Sequence, residues 1–328
     1  MKAIVLTNYG GPDQLQLMEV EKPSPADNEV LVKVYAVSIN DWDWGLMQGD
    51  FVNRMFNGFS KPKTKILGSD IAGRVEAIGK KVTRFKPGDE VFGDLSGRWG
   101  GFAEYVCAHE SSLGHKSPRM TFEQAASIPQ AAMLAVQGLI DKGGIQPGEK
   151  ILLNGAGGGV GTFGLQILKP LGVEVTVVDT AAKLEMLRSL GAAHVIDYKQ
   201  EDFTKTGKRY DRILDTKTNR SIFSYLRALN PGGKYITVGG SIPRLLQTFL
   251  CSPIISLFTH KKVSIVALKA NKDLDYMSKL LESGQVKPVI DGPYTLEEVP
   301  EAFRIFGRGE HRGKLVITVA GPQEKVER

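Results

Sequence analysis

The stretch Lys150-Ile151-Leu152-Leu153-Asn154-Gly155-Ala156-Gly157-Gly158-Gly159-Val160-Gly161-Thr162-Phe163-Gly164-Leu165-Gln166-Ile167-Leu168 decides the fold. An apolar run, an uncharged glycine cluster and then apolar positions at helical spacing predict a buried strand, a tight turn and the start of a helix. Such a turn is a place for a phosphate. The first turn of a helix offers unsatisfied N–H groups and a partial positive charge, and glycines let a pyrophosphate reach the backbone. Residues 174–178 predict a second strand that closes on Asp179. The separation is near the roughly 20 residues expected between a dinucleotide fingerprint and its ribose-binding carboxylate. The G-x-G-x-x-G spacing is not met from Gly155, because Val160 falls where the third glycine belongs. A match at Gly159, Gly161 and Gly164 lies too far into the helix, so the frame that fits is Gly155-x-x-Gly158-x-x-Gly161. With the flanking strands, this pattern predicts nucleotide binding.

Outward from that turn, strands alternate with helices. Strands are predicted over residues 151–153, 175–178, 194–196, 212–214 and 235–238, and helices over 183–190 and 221–229, with Asn230-Pro231-Gly232-Gly233 as a stop. A parallel, doubly wound sheet is the expected result. Residues 262–268 add a sixth strand, apolar enough to be paired, and so predict a homodimer formed by continuing the sheet. Upstream, short strands over 3–6, 29–38, 70–78, 90–92 and 103–108 are separated by Gly- and Pro-rich turns, which predicts a β-rich unit with little helix. Residues 121–142 show helical spacing with Thr121 as cap and Glu123 in the first turn. After a helix over 274–282, residues 286–294 and 314–319 look again like the first unit, so the chain is expected to return there. The predicted division is 1–122 with 290–328 against 123–289, and the polar tail 321–328 is expected to be loose.

Composition narrows the function classes. A chain of 328 residues is long for a single core. The net charge of +6 comes from scattered Lys and Arg, which argues for a solvated surface attractive to anionic ligands and against a nucleic-acid-binding patch. Cys107 and Cys251 stand in unrelated contexts, make no disulfide framework or four-cysteine zinc site, and suit a reduced cytoplasmic compartment. Residues 1–6 read as a strand and are too short an apolar run for a signal peptide. The longest uncharged apolar stretch, residues 245–259, falls short of a membrane span; a core or interface helix is the plain reading and a peripheral membrane contact, helped by Lys261 and Lys262, the sharper one.

Several short motifs then recur in a telling order: Gly-Asp-Glu-Val-Phe-Gly at 88–93, the glycine turn, Arg188-Ser189-Leu190-Gly191-Ala192, Val195-Ile196-Asp197-Tyr198, Pro231-Gly232-Gly233 and Arg312-Gly313-Lys314. This order resembles the medium-chain dehydrogenase/reductase superfamily over nearly the whole chain. Within it, the chain looks like the zinc-free quinone oxidoreductase branch, close to the chloroplast-envelope quinone oxidoreductase homologues. The resemblance implies an α/β architecture with a GroES-like β-rich catalytic domain, a Rossmann domain and an active site in the cleft. Zinc alcohol dehydrogenases of this superfamily carry a Cys ligand where this chain has Asn40, and a His-Glu pair where it has Ser69-Asp70. The five His residues show no ligand spacing, so no zinc is expected. Without a Lewis acid, hydride transfer to a quinone or an α,β-unsaturated carbonyl is favoured over alcohol oxidation, because conjugation already makes the accepting carbon electrophilic and the resulting anion needs only hydrogen bonds and a proton.

The resemblance also implies site residues. It places Asn40 near the nicotinamide and Asp43 where a carboxylate stands behind the metal in the zinc enzymes. Trp42 and Trp44, with Trp99 and Arg98 from a glycine-flanked loop, are candidates to wall a pocket for a flat conjugated substrate. The expected cofactor contacts are Gly155, Gly158, Gly159, Val160, Gly161, Asp179, Thr180, Lys183, Tyr198, Gly239 and Lys314. Asp179 favours NADH through a ribose 2′-OH, whereas Lys183 and Tyr198 match positions that hold the 2′-phosphate in zinc-free quinone reductases. Since Asp179 can pair with Lys183 at i+4, NADPH is expected, with NADH as the alternative. Two departures matter: Leu134 replaces a common Thr, and Asp215-Thr216-Lys217-Thr218 replaces Asp-Ala-Val-Gly, which would narrow or recharge the pocket near the nicotinamide ribose. They admit two alternatives, a cofactor-binding, redox-sensing partner protein with little turnover and a zinc-free alcohol dehydrogenase.

Overall fold

The computed structural model describes residues 1–95 and 97–319, so the tail at 321–328 lies outside the described residues. The chain forms two compact units, one built from Met1–Gln130, Ala270–Glu282 and the segment from Ile290 onward, the other from Ala131–Lys269 and Ser283–Val289. The helix Leu274–Glu282 therefore groups with the first unit, and the first crossing falls at Gln130 rather than at residue 122.

The second unit is a six-stranded, all-parallel sheet in the order His194–Asp197, Glu174–Asp179, Lys150–Asn154, Tyr210–Asp215, Leu229–Thr237, Lys262–Ile265. Numbered by sequence this is 3-2-1-4-5-6, the Rossmann order, with the strand order reversing beside Lys150–Asn154. Lys150–Asn154 and Glu174–Asp179 are exposed only at their first residue, as strands covered by helices on both faces must be. The helix Gly159–Leu168 is buried from Gly161 to Leu168, which explains its uncharged sequence. Two expectations are corrected here. The stop signal at residues 230–233 lies inside the strand Leu229–Thr237, where it breaks the pairing register between Tyr210 and Arg212 of the neighbouring strand. The sixth strand is four residues long, Lys262–Ile265, rather than reaching residue 268, and stands last in the sheet order.

In the first unit a sheet runs Ile290–Thr295, Lys314–Thr318, Glu29–Ser38, Asp70–Ile78, Glu90–Asp94, Gly114–His115, with Tyr105–His109 also paired to Glu29–Ser38 and a separate hairpin of Lys2–Leu6 with Leu15–Glu19. The C-terminal return is real: Lys314–Thr318 pairs antiparallel with the end of Glu29–Ser38. The unit holds more helix than its β-rich pattern predicts, in Asp41–Gln48, Phe51–Asn57 and Val299–Arg308. The first is short but well bounded, opening at Asn40 and stopping at Gly49 in the left-handed region with φ 63. The helical spacing over 121–142 is broken into Phe122–Ala126, capped by Thr121 and Gln124 in reciprocal hydrogen bonds, and Pro129–Val136, which widens into a π-helical segment Gln137–Gly143.

Candidate active site

In the second unit the glycine turn is stapled to the neighbouring strand. The amides of Gly155 and Ala156 both donate to the Val178 carbonyl, at 3.0 and 3.2 Å, and the Gly157 amide donates to Asp179 Oδ2 at 2.7 Å. Gly155 has φ +76, and a Cβ there would meet Thr216 Oγ1 at 2.2 Å. At Gly157 a Cβ would strike Lys183 Cδ at 2.4 Å, and at Gly161 the Ala156 Cα at 2.3 Å. Gly158 caps the helix in an extended conformation and has no side-chain acceptor to offer, so the amides of Gly159, Val160 and Gly161 face outward from a positive helix end. A cradle this tight, built of backbone and with its one adjacent carboxylate, Asp179, bonded to the Gly157 amide, fits the pyrophosphate of a dinucleotide.

Asp179 and Lys183 are brought together and buried, with Nζ 3.6 Å from Oδ1. Asp179 also accepts the Thr180 amide at 2.8 Å, and Thr180 caps the helix Ala181–Ser189. The carboxylate is thus committed to the turn and to its lysine, which removes much of its repulsion for a phosphate. Tyr198 donates its amide to the Asp179 carbonyl at 3.2 Å and leaves its ring half exposed. The departure at 215–218 forms a tight corner. Asp215 Oδ1 accepts from Asn154 Nδ2 and from the Lys217 and Thr218 amides, while Oδ2 accepts the Tyr235 hydroxyl at 2.7 Å. Thr218, at φ 36, is buried and donates to the Gly239 carbonyl at 2.6 Å. Lys217 lies with its stem against Gly155, so the corner adds a cation beside the phosphate turn.

The first unit assembles a buried polar cluster around Asn40. Asp43 Oδ2 accepts the Asn40 amide at 2.9 Å and Oδ1 accepts the Gly68 amide at 2.8 Å, so one carboxylate clamps the helix start to the following loop. Gly68 has φ +90, and a Cβ there would meet the Phe102 amide nitrogen at 2.9 Å. Lys314 Nζ donates to the Ile39 carbonyl at 2.9 Å and to Asn40 Oδ1 in a short bond, and lies 3.7 Å from Asp70 Oδ2. Asn40 Nδ2 donates to Ser69 Oγ at 3.3 Å, and Gln130 Nε2 reaches Ser69 Oγ at 2.8 Å and Asp94 Oδ1 at 3.2 Å. None of these seven side chains is more than 5% exposed.

Burial raises the Asp43 carboxyl to about 7, against the pull of the Gly68 and Asn40 amides and of Lys314. Burial raises Asp70 to about 8, against Lys314, and pushes Lys314 down in turn. Carboxyls and an amine are therefore brought towards the same range, and the Lys314–Asp70 couple can hold or release a proton near neutral pH. The ammonium on Oδ1 also polarises the Asn40 amide, strengthening Nδ2 as a donor.

Asn40 and Asp43 thus meet in one cluster, and Lys314 joins them there. The three tryptophans sit in different settings. Trp42 is 59% exposed, Trp44 packs on Phe306 and against Gly307, and Trp99, at φ 52, packs on the first unit's core. Arg98 is ion-paired with Glu29. Asp94 and Gln130 are members that residue-by-residue reading passes over, and Asp70 enters it only as the residue standing where zinc relatives carry a Glu. Their signal is a lone polar residue at the edge of an apolar run, as in Asp70-Ile71-Ala72 and Ile128-Pro129-Gln130-Ala131.

The donor set does not fit zinc. Asn40 and Ser69 offer neither thiolate nor imidazole, an ammonium stands against Asp70, and the described residues hold no group of three or more His, Cys, Asp or Glu that could bind a metal ion.

A GroES-like unit and a Rossmann unit with a glycine turn in one chain define the medium-chain dehydrogenase architecture. Residues 26–118 match the alcohol dehydrogenase GroES-like domain and residues 190–317 the zinc-binding dehydrogenase family. The chain is 32% identical to the chloroplastic quinone-oxidoreductase QR1 of Triphysaria versicolor, across 97% of this chain and 98% of that protein. It is 31% identical to the 2-methylene-furan-3-one reductase of Solanum lycopersicum, across 97% of this chain and 79% of that one. The solved structure of the quinone oxidoreductase from Coxiella burnetii matches with a TM-score of 0.86 at 27% identity, covering 98% of this chain and 99% of that one. The chain belongs to the quinone oxidoreductase group of the medium-chain dehydrogenase/reductase superfamily, and it is an oxidoreductase.

Proposed function

We propose that this protein is a zinc-independent, NADPH-dependent reductase of quinones or α,β-unsaturated carbonyls. The observation that carries the reading is the Lys314–Asn40 pair inside the carboxyl cluster, a cation and a polarised amide at the place where zinc relatives hold their metal. Bound NADPH supplies a hydride from its nicotinamide ring. The chain's residues do the rest. The glycine turn and Lys217 would hold the pyrophosphate, and Lys183, ion-paired with Asp179, would meet the 2′-phosphate. Asn40 Nδ2 donates to Ser69 Oγ and also bonds the Asp70 carboxyl, and exchanging the second of these bonds for the substrate oxygen would stabilise the anion that forms as hydride adds to the conjugated carbon. The Lys314–Asp70 couple holds the proton that converts that enolate or hydroquinone anion to product, and water restores it.

The names of the relatives support this substrate class: one is a quinone oxidoreductase, another reduces a conjugated furanone. A homodimer through the outer edge of Lys262–Ile265, in a reducing cytoplasmic compartment, is part of the same reading.

The test is loss of NADPH absorbance with 1,4-benzoquinone, 9,10-phenanthrenequinone and short 2-alkenals, run with and without a chelator and repeated on Asn40→Ala. Turnover unaffected by chelation and about 100-fold slower in Asn40→Ala is expected, the scale of losing one oxyanion donor. Tight NADPH binding with no oxidation by any acceptor would favour the redox-sensing partner instead. On the cofactor, Lys183→Ala is expected to weaken NADPH about tenfold while leaving NADH nearly unchanged in fluorescence titrations, since one charge-assisted bond to the 2′-phosphate is lost. Tighter NADH than NADPH binding in the unmodified protein would overturn the cofactor assignment.

A further inference from the structure

The helix Ile242–Phe258 is packed inside out. The side turned to the protein is small and partly polar, with only Thr248 and Ile255 fully buried and Cys251 lying against the same core. Its large apolar side chains point to solvent: Leu246, Phe249, Leu250 and Ile254 are between 56% and 66% exposed, and Leu257 and Phe258 are 79% and 78% exposed. At 100° per residue these positions sweep one broad face rather than scattering round the axis. Phe223, on the helix Ile222–Arg227, is also more than half exposed. A patch of this kind asks for an occupant.

Charge says which. Lys and Arg look scattered over the chain as a whole, but between Asp215 and Asp273 there are nine of them and no Asp or Glu. On this helix they stand at the two ends, Arg244 in the first turn and His260, Lys261 and Lys262 just past the last. Lys261 is anchored on the Leu226 carbonyl at 2.5 Å, and Lys262 is exposed. Antiparallel pairing of this face with a second copy would set Arg244 of one molecule against Lys261 and Lys262 of the other. An anionic surface meets both ends with opposite charge. No helix among the described residues is long and apolar enough to cross a membrane, so the segment can lie on a bilayer but not span it.

We infer that the outer face of the helix Ile242–Phe258 docks on an anionic membrane surface, with Phe and Leu side chains entering the interface and the terminal cations on lipid phosphates and carboxylates. The helix rests on the strand Lys262–Ile265 through its other side, with Ser252 Oγ donating to the Val263 carbonyl at 3.2 Å.

The experiment is flotation of the full chain with phosphatidylcholine vesicles, with and without phosphatidylserine, at low and raised salt. Binding is expected only with phosphatidylserine, and weaker at raised salt. Phe249→Ser/Leu257→Ser should lower the partition coefficient about a hundredfold, by loss of two buried apolar side chains. Lys262→Glu should lower it at least fivefold, by loss of one cation near the surface. All three side chains are exposed, so far-UV circular dichroism and the unfolding midpoint should match the unmodified protein. Three results would overturn the inference: no binding to the anionic vesicles at low salt, equal binding by the serine variant, or vesicle-free self-association that the serine variant abolishes. The last would show a second copy on this face.

Discussion

Gly161→Ala is expected to abolish cofactor binding and to lower the unfolding free energy by about 3 kcal/mol, the upper end of what overpacking costs. The new Cβ would stand 2.3 Å from Ala156 Cα, 2.4 Å from its oxygen and 2.6 Å from its carbonyl carbon. All three are backbone atoms, and that backbone cannot retreat, because the amides of Gly155 and Ala156 are held by the Val178 carbonyl. The helix start must back away instead, carrying the amides of Gly159 and Val160 from the place where they would meet a pyrophosphate. Gly164→Ala is the control. Its nearest neighbour is the end of the Leu139 side chain at 3.1 Å, which can rotate, so binding close to normal and a loss below about 1 kcal/mol are expected. Fluorescence titration with NADPH and urea unfolding measure both. Undiminished binding by Gly161→Ala would show that the nucleotide is not held at this turn.

Lys314→Met should cost about 4 kcal/mol of stability, because removing one member of a buried ion pair leaves the other charge uncompensated. It should also slow quinone reduction more than it changes the KM for quinone, since the cluster acts on the developing anion. Lys314→Met/Asp70→Asn should recover part of the stability, which separates a stranded charge from a packing defect. The pH dependence has a defined sign. Asp70 rises from 3.8 to about 8 on folding, so between those values the folded state binds more protons than the unfolded state and stability falls as pH rises. Asp43, raised to about 7, adds to the same slope. Lys314 acts oppositely at the alkaline end: its folded value lies below 10.5, so the unfolded state binds more protons there and stability rises with pH up to that value. Urea unfolding at several pH values should show the acid-to-neutral decline, and Asp70→Asn should flatten it.

The sheet around the glycine turn is legible in the sequence because its strands are buried on both faces, which leaves short, nearly charge-free runs between glycine punctuation. In the first unit the strands Glu29–Ser38 and Asp70–Ile78 have the limits that their patterns predict. The helix Asp41–Gln48 is hidden because its eight residues include two Asp, two Trp and a Gly. What fixes it is the Asp43 carboxylate on the Asn40 amide and Gly49 in the left-handed region, both features of geometry rather than composition. That Trp44 packs on Phe306 and against Gly307, and Trp99 on the first unit's core, is not visible locally in the sequence, because those partners lie far along the chain. The Asp179–Lys183 pair is legible, being one helical turn apart. The bond from Lys314 to Asn40 is not: the two stand 274 residues apart, and no periodicity links them.

That separation has a consequence for how the protein is made. At ribosomal rates of about 5–20 residues per second, roughly 15–55 s pass between the synthesis of Asn40 and that of Lys314. Until the strand Lys314–Thr318 arrives, the edge of Glu29–Ser38 at Ala36–Ser38 lacks the partner it has in the finished sheet, and Asp70 and Asp43 have no ammonium to balance them. A nascent chain can complete the whole sheet from Lys150 to Ile265, glycine turn included, before the ammonium of the buried cluster in the first unit has been made.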